Sequence, residues 1–265
     1  MSSSDEKFDP STPADARIYD YIIGGKDHYG PDRGVAEGLP EGPWGDDVER
    51  RPAVENRRFL RRAVRFLLDE GIRQFVDIGC GLPTRTNVHD LAHDADPAAR
   101  VLYVDHDQVV VNHYRALLSS SSTATVISAD ARQPGEILGR IRETSFIDLE
   151  RPLGVLLVGL LHLMADEDDP AGVVARYRDA VVPGSYLVMS HLTGEGQDPE
   201  HVAQFTAMFQ SAREPMVMRS RERIRSFFDG LDLVEPGMVD APDWRPNRPF
   251  PKPSGWLVAG VARKN

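Results

Sequence analysis

Five short apolar segments alternate with longer amphipathic segments through the middle of the chain, and this alternation constrains the fold most strongly. The apolar segments have the length of buried strands, whereas the segments between them show helical spacing. Strands that alternate with helices form parallel βαβ units, whose sheet is covered by helices on both faces. The sequence therefore predicts an α/β fold with strands at 74–78, 101–104, 125–129, 154–160 and 185–190.

The alternation stops after the fifth strand. Two helices are predicted at 199–214 and 221–229, the second with Ser220 as its cap. Two further strands are predicted at 231–239 and 256–262. The proline-rich link at 242–253 is too short for a crossover helix, so these strands are expected to pair antiparallel. The result is a seven-stranded, mostly parallel, Rossmann-like sheet whose last strand is antiparallel.

The chain before the first strand divides into parts of different composition. Residues 1–13 are rich in serine, aspartate and proline, and we expect a disordered tail. A short helix is predicted at 14–23, a loop at 30–45 and a long helix at 52–70. A hydrophobic content of 41% is enough for a full core. We expect one domain at 14–265, in which 14–70 precede a core at 71–265.

The charge balance limits the classes of partner. The chain has 31 basic and 41 acidic residues, whereas surfaces that bind nucleic acid or anionic membranes are basic. Its one cysteine, Cys80, leaves no disulfide framework and no cysteine-rich zinc site. The first residues lack the apolar core of a signal peptide, and no apolar stretch approaches the ~18 residues of a membrane span. We expect a cytoplasmic protein without nucleic-acid or membrane partners.

Acidic residues follow three consecutive strands at the carboxyl edge of the predicted sheet, where open α/β folds bind ligands. The first strand ends at Asp77 and continues into a turn through Gly79 and Gly81, which lets the backbone approach a ligand closely. The second ends at Asp105, whose carboxylate can accept both ribose hydroxyls. Asp130 follows the third and can accept a hydrogen bond from the exocyclic amine of adenine. These positions predict a nucleoside ligand.

Two features separate this pattern from a dinucleotide site. Pro83 stands where the third glycine of a dinucleotide fingerprint is expected, and Asp77 would repel a pyrophosphate. The same carboxylate can meet an ammonium group, and the helix start after the turn can receive a carboxylate. A ligand that combines ribose, adenine, an amine and a carboxylate is S-adenosylmethionine (SAM).

Several segments carry a resemblance to a known family. Asp77-Ile-Gly-Cys-Gly81, Asp105 and Asp130-Ala131, with five parallel strands before an antiparallel pair, resemble class I SAM-dependent methyltransferases. The narrower likeness lies at 17–29, 55–64 and 79–84. The first of these, Arg-Ile-Tyr-Asp-Tyr-Ile-Ile-Gly-Gly-Lys-Asp-His-Tyr, is the most specific. In all three the chain is similar to the type 19 S-adenosyl methyltransferase family.

The resemblance implies that SAM binds at the strand tips beneath an N-terminal helical lid. Within the lid, Tyr19, Tyr21, Gly25 and Lys26 would approach the methionine end, with Lys26 pairing with its carboxylate. For the two tyrosines, packing on the sheet edge is an equal alternative. The expected cofactor-binding residues are Tyr19, Tyr21, Gly25, Lys26, Asp77, Gly79, Cys80, Gly81, Asp105, His106, Asp130 and Ala131. The resemblance also makes Asn56 and Arg57 candidate pocket residues, although both fit a helix surface equally well.

Candidates for catalysis are few, because methyl transfer is a displacement that positioning alone can support. His162 follows the fourth strand, where an acceptor would lie, and is the candidate general base. Alternatively, the His162 ring has a structural role and forms its hydrogen bonds with the backbone at the strand end. His28 and His191 are weaker candidates. No metal site is expected, because His89 and His93 have helical spacing but no third ligand.

We therefore predict a SAM-dependent methyltransferase that acts on a small molecule, as a monomer or a homodimer. The segment 194–209 is expected to form the variable wall of the acceptor pocket, with apolar lining from Met208, Phe209, Met216 and Met218. Two alternatives stay open. One is a module that senses SAM without transferring its methyl group. The other is a nicotinamide-dependent oxidoreductase, which the aspartate after the first strand and the antiparallel end disfavour.

Overall fold

A parallel sheet of five strands forms the centre of the protein. The computed structural model describes residues 9–38, 51–209, 212, 214, 216–247 and 252–265. The parallel strands are β1 (Gln74–Ile78), β2 (Arg100–Asp105), β3 (Ala124–Ser128), β4 (Gly154–Val158) and β5 (Tyr186–Leu192). They lie side by side in the order β3-β2-β1-β4-β5. The order of the strands reverses between β1 and β4, and ligands bind in the crevice that forms at such a point.

Helices cover both faces of this sheet, as predicted. The side chains of β1 alternate between the two faces, because Phe75 packs in one hydrophobic cluster and Val76 in the other. The helices are α1 (Asp15–Ile22), α2 (Gly30–Glu37), α3 (Arg51–Asp69), α4 (Val88–Ala95), α5 (Gln108–Leu117), α6 (Pro134–Thr144), α7 (Pro170–Ala180), α8 (Pro199–Met208) and α9 (Arg221–Ser226). Residues of α3, α4 and α5 pack in the first cluster, and residues of α6 and α7 in the second.

The sheet has eight strands, one more than predicted. The segment expected as one strand at 231–239 forms two short strands, β6 (Asp232–Leu233) and β7 (Val239–Asp240). Pro236 between them has no N–H for a ladder, and Gly237 has a φ of +87°, so the chain turns there. Both strands pair antiparallel with β8 (Leu257–Arg263), which itself pairs antiparallel with β5. The antiparallel end of the sheet is therefore confirmed.

Two other predicted segments differ clearly from the structure, and several of the remaining boundaries shift by one to three residues. The loop expected at 30–45 contains α2, whose first turn is held by Asp32, since its carboxylate accepts the N–H of Tyr29 at 2.8 Å. The helix expected at 199–214 ends at Met208, and residues 210, 211, 213 and 215 lie outside the described part of the chain. Residues 1–8 of the expected tail and 39–45 of the expected loop lie outside it too, as do residues 46–50. The division into a tail and a single domain stays a prediction.

The helices α1 and α2 form an N-terminal lid at the carboxyl edge of the sheet. The buried Arg17 ties them together, because its Nε donates to Asp32 Oδ2 at 3.0 Å. Its Nη1 lies 3.5 Å from Oδ2 of Asp107, which caps the start of α5. The lid is thus fixed to the tip of β2. None of the helices in the described ranges is long and apolar enough to cross a membrane.

Candidate functional site

A cavity lies between the lid and the carboxyl ends of the parallel strands. Its polar side chains come from α1 and α3, from the tips of β1, β2 and β4, and from Glu214. Because β5 and β8 lie on the other side of β1 from β2 and β3, residues at their ends line a different part of the cavity. That part is apolar and is completed by α8 and the segment after it. Its residues are Leu192, Phe205, Phe209, Met216 and Leu257.

The glycine turn after β1 is built around Asp105. Gly79 and Gly81 both adopt positive φ, +66° and +64°, a conformation that favours glycine. The N–H of Gly81 donates to Asp105 Oδ2, and the N–H of Asp107 donates to Oδ1, both at 3.0 Å. Burial raises the pKa of the Asp105 carboxyl. Each oxygen of a carboxylate can accept more than one hydrogen bond, so Asp105 is fixed in place and can still receive two hydroxyls.

Arg57 reaches from α3 to the glycine turn. A Cβ added to Gly81 would lie 3.7 Å from its Nη2, and its guanidinium carbon lies 5.3 Å from the ring centre of Tyr19. The Nε of Arg57 is buried and has no hydrogen-bond partner among the described residues. Burial raises the pKa of nearby Asp77 to about 7, although the Arg57 charge opposes this shift. The cavity thus places the Arg57 cation beside a carboxyl whose pKa lies near neutral pH.

A hydrogen-bonded chain joins the lid to the strand tips. The Tyr19 hydroxyl donates to the carbonyl oxygen of Ala53 at 2.8 Å and accepts from Asn56 Nδ2 at 3.3 Å. The Ser190 hydroxyl donates to Asn56 Oδ1 at 2.6 Å and accepts from the N–H of Gly159 at 2.8 Å. These contacts hold α1, α3, β4 and β5 together around the cavity.

His162 lines the cavity in a neutral state. Burial holds its pKa well below the usual value, and the nearby His191 and Arg219 lower it further. The N–H of Leu192 donates to His162 Nδ1 at 3.4 Å, which places the ring proton on Nε2. Behind it, Arg219 Nη1 donates to His191 Nε2 at 3.1 Å. The ring is therefore arranged as a hydrogen-bond donor.

A cluster of charged residues surrounds the tips of β2 and β3. Glu214 contacts His106 and Arg132. Its Oε1 lies 3.4 Å from His106 Nε2, and its Oε2 accepts a hydrogen bond from Arg132 Nη1 at 3.1 Å. The hydrogen bond to Glu214 raises the pKa of His106 to about 9. Arg132 also binds Asp130, with its Nη2 2.9 Å from Oδ2. The N–H of Glu214 donates to Asp15 Oδ2 at 3.3 Å, which joins the cluster to α1.

The structure brings nine of the thirteen predicted site residues to this cavity. They are Tyr19, Asp77, Gly79, Cys80, Gly81, Asp105, His106, Ala131 and His162. Arg57 and Asn56, which the family resemblance suggested, line it as well. Asp15 and Glu214 were missed, because the contact that brings them together joins residues 199 positions apart and leaves no local signal.

Tyr21, Gly25, Lys26 and Asp130 do not line the cavity. Tyr21 donates to Glu37 Oε1 at 2.9 Å, and Lys26 is exposed. Gly25 packs against Asp20, since an added Cβ would come within 1.9 Å of the Asp20 carboxylate. The same carboxylate accepts the N–H of Asp27 at 2.9 Å. The glycine-rich part of this motif therefore folds a turn around Asp20. Within the described ranges, no group of three or more His, Cys, Asp or Glu side chains could hold a metal.

Comparison with known proteins connects this cavity to a chemistry. A family model described as S-adenosyl methyltransferase matches residues 1–265. A solved structure from Thermobifida fusca YX, named as a candidate methyltransferase, has 38% sequence identity and a TM-score of 0.88, and the match covers 96% of both chains. A DUF574 family protein from Streptomyces avermitilis MA-4680 has 35% identity and a TM-score of 0.90, over 98% of this chain and 100% of that one.

More distant structures share the fold alone. The N-methyltransferase NodS from Bradyrhizobium japonicum WM9, solved with S-adenosyl-L-homocysteine, has 13% identity and a TM-score of 0.50, over 94% of this chain and 98% of that one. No curated protein matches the sequence. Neither a SAM sensor nor a nicotinamide-dependent oxidoreductase finds support in these comparisons. The chain belongs to the S-adenosyl methyltransferase family and is a SAM-dependent methyltransferase.

Proposed function

We propose that SAM lies across the tips of β1, β2 and β3, with its amino-acid end at Arg57 and Asp77 and its ribose at Asp105. The observation that carries this proposal is the buried Arg57 Nε, which has no hydrogen-bond partner in the described chain. A buried donor of this kind indicates a missing acceptor, and a carboxylate is the acceptor that an arginine binds most strongly. When bound, SAM supplies a methyl group activated by its sulfonium.

Asp77 fits the ammonium group of the same amino acid. Its carboxyl lies close to Arg57 and is buried, so its charged form is disfavoured when no cation other than Arg57 is near. An ammonium group at this position would favour the charged form. Arg57 and Asp77 then bind the carboxylate and the ammonium group of one amino acid. A nicotinamide cofactor has a pyrophosphate and contains no such amino-acid group.

We propose a small molecule with an apolar body as the methyl acceptor. The support comes from the apolar part of the cavity, which Phe205 and Phe209 line together with Leu192 of β5 and Leu257 of β8. Of the apolar residues expected in this wall, Phe209 and Met216 line the cavity and Met218 does not, while the side chain of Met208 lies outside the description. Apolar walls with a few polar groups are typical of small-molecule sites.

For His162 we propose the role of a hydrogen-bond donor to the acceptor. The lowered pKa makes it a weak base, and its Nδ1 already accepts a backbone N–H. We expect nitrogen NMR of histidine-labelled protein to show a neutral Nε2–H ring from pH 5 to pH 8, with the signal assigned by its loss in His162→Gln. A ring that titrates near its usual pKa of about 6.5, or that carries its proton on Nδ1, would restore the general base as the better proposal.

Arg57→Met tests the placement of the cofactor. Loss of a charge-assisted hydrogen bond costs about 1.5–3 kcal/mol, so S-adenosylhomocysteine should bind about 10- to 100-fold more weakly in isothermal titration. Arg65→Met is the matched control, because Arg65 is exposed on the same helix and does not line the cavity. Equal affinities for the two variants would remove Arg57 from the site and overturn the proposal.

A further inference from the structure

One carboxylate oxygen in the cavity has no assigned function. Asp15 lies in the first turn of α1 and lines the cavity, and its Oδ1 is buried without a hydrogen-bond partner among the described residues. Its other oxygen, Oδ2, accepts the N–H of Glu214 at 3.3 Å, so the orientation of the carboxylate is fixed. Burial raises the pKa of Asp15 to about 7, and a hydrogen-bond donor placed at Oδ1 would stabilise the charged, accepting form of this carboxyl.

The position of Asp15 identifies the part of the ligand that it would meet. In SAM the ribose lies between the amino acid and the adenine, and the sheet places β2 between β1 and β3. With the amino-acid end at β1 and the ribose at Asp105 on β2, the adenine must extend towards β3. Asp15 lies at that end, because Glu214 binds both Asp15 and Arg132, which follows β3.

The other acidic candidate at this end is already engaged. Both oxygens of Asp130 accept from Arg132 Nε at 3.0 Å, and Asp130 does not line the cavity. The Asp130 side chain is therefore not placed to receive the exocyclic amine of adenine, because it lies outside the cavity. His106, which follows Asp105, is held by Glu214 and lines the same end.

We infer that Asp15 accepts a hydrogen bond from the exocyclic amine of adenine through its Oδ1. The lid, rather than the strand tip, then distinguishes adenine from a base that carries a carbonyl at the same position. This inference rests on the proposed placement of the cofactor. It assigns Asp15 a direct role in cofactor specificity, which requires the lid to be closed over the base.

The orientation of Asp15 makes a change in the preference between two ligands the decisive test. In Asp15→Asn the amide oxygen should remain where the N–H of Glu214 donates, so the amide N–H₂ replaces the free oxygen. A donor would then face the amine of adenine. S-Inosylhomocysteine carries a carbonyl in place of that amine, and the variant could donate to it. The experiment measures the affinities of S-adenosylhomocysteine and S-inosylhomocysteine by isothermal titration for the wild type, Asp15→Asn and Asp130→Asn.

We expect the wild type to bind the adenosyl compound at least about tenfold more tightly, because a site built to bind one hydrogen-bonding group rejects its mismatch strongly. We expect Asp15→Asn to reduce this preference at least about tenfold. A wild type that binds both compounds equally well would overturn the inference even if the variant does not fold. A reduced preference in Asp130→Asn alone would also overturn it. Failure of the wild type to bind either compound would instead overturn the placement of the cofactor.

Discussion

Asp105→Asn should weaken binding of S-adenosylhomocysteine at least about 100-fold. The ribose would lose a charged acceptor for its two hydroxyls, and each such hydrogen bond contributes about 1.5–3 kcal/mol. The glycine turn would be disturbed as well. Since Gly81 and Asp107 donate to different oxygens of Asp105, either orientation of the amide sets its N–H₂ against a backbone N–H. No rotation of the new side chain restores both contacts.

Isothermal titration beside thermal unfolding separates the two effects of this substitution. Asp94→Asn is the matched control, because Asp94 is exposed on α4 and does not line the cavity. The control should keep the wild-type affinity. An Asp105→Asn protein that unfolds at the wild-type temperature and binds within about threefold of the wild type would show that the carboxylate does not hold the ribose.

Asp77→Asn should stabilise the ligand-free protein at pH 8 and weaken ligand binding at the same time. The folded state raises the pKa of Asp77 from 3.8 to about 7 through burial. A carboxyl with a raised folded pKa lowers stability as the pH increases from the unfolded to the folded pKa, and the full penalty persists above it. Asparagine carries no charge at either pH, so the variant escapes this penalty.

Thermal unfolding at two pH values provides the check. The melting temperature of Asp77→Asn should exceed that of the wild type by at least about 3 °C at pH 8, since each kcal/mol shifts it by about 2–4 °C in a domain of this size. Near pH 4 the two proteins should unfold at similar temperatures. Affinity for S-adenosylhomocysteine should fall about tenfold or more, because the ammonium loses its charged partner. A gain in stability that is the same at both pH values would contradict burial of the charge as its cause.

The parallel sheet could be predicted from sequence because its signals are local. Strand β1 begins and ends where the residue pattern places it, because an apolar run acts within a few residues. Asp77 and Asp105 could be placed for the same reason. Each lies at the end of a predicted strand, and this position puts its side chain at the carboxyl edge of the sheet. The assignment of Asp77 to an ammonium group and of Asp105 to the ribose stays a prediction.

The remaining features depend on contacts between distant parts of the chain. Glycine and proline in α2 suggested a loop, but Asp32 holds the first turn of that helix and binds Arg17 from α1. Asp130 was predicted to bind the base, but Arg132 binds its carboxylate and its side chain does not line the cavity. No spacing rule connects Asp15 with a residue 199 positions away.

The turn around Asp20 has a consequence for assigning substrates to related sequences. The glycine-rich part of the motif at 17–29 folds around the Asp20 carboxylate, and its Gly25 contacts that carboxylate rather than the cavity. A sequence search with this part of the motif therefore finds proteins that share the turn in the lid, whatever molecule each one methylates. Grouping the same proteins by the residues that correspond to Phe205, Phe209 and Met216 should instead sort them by acceptor.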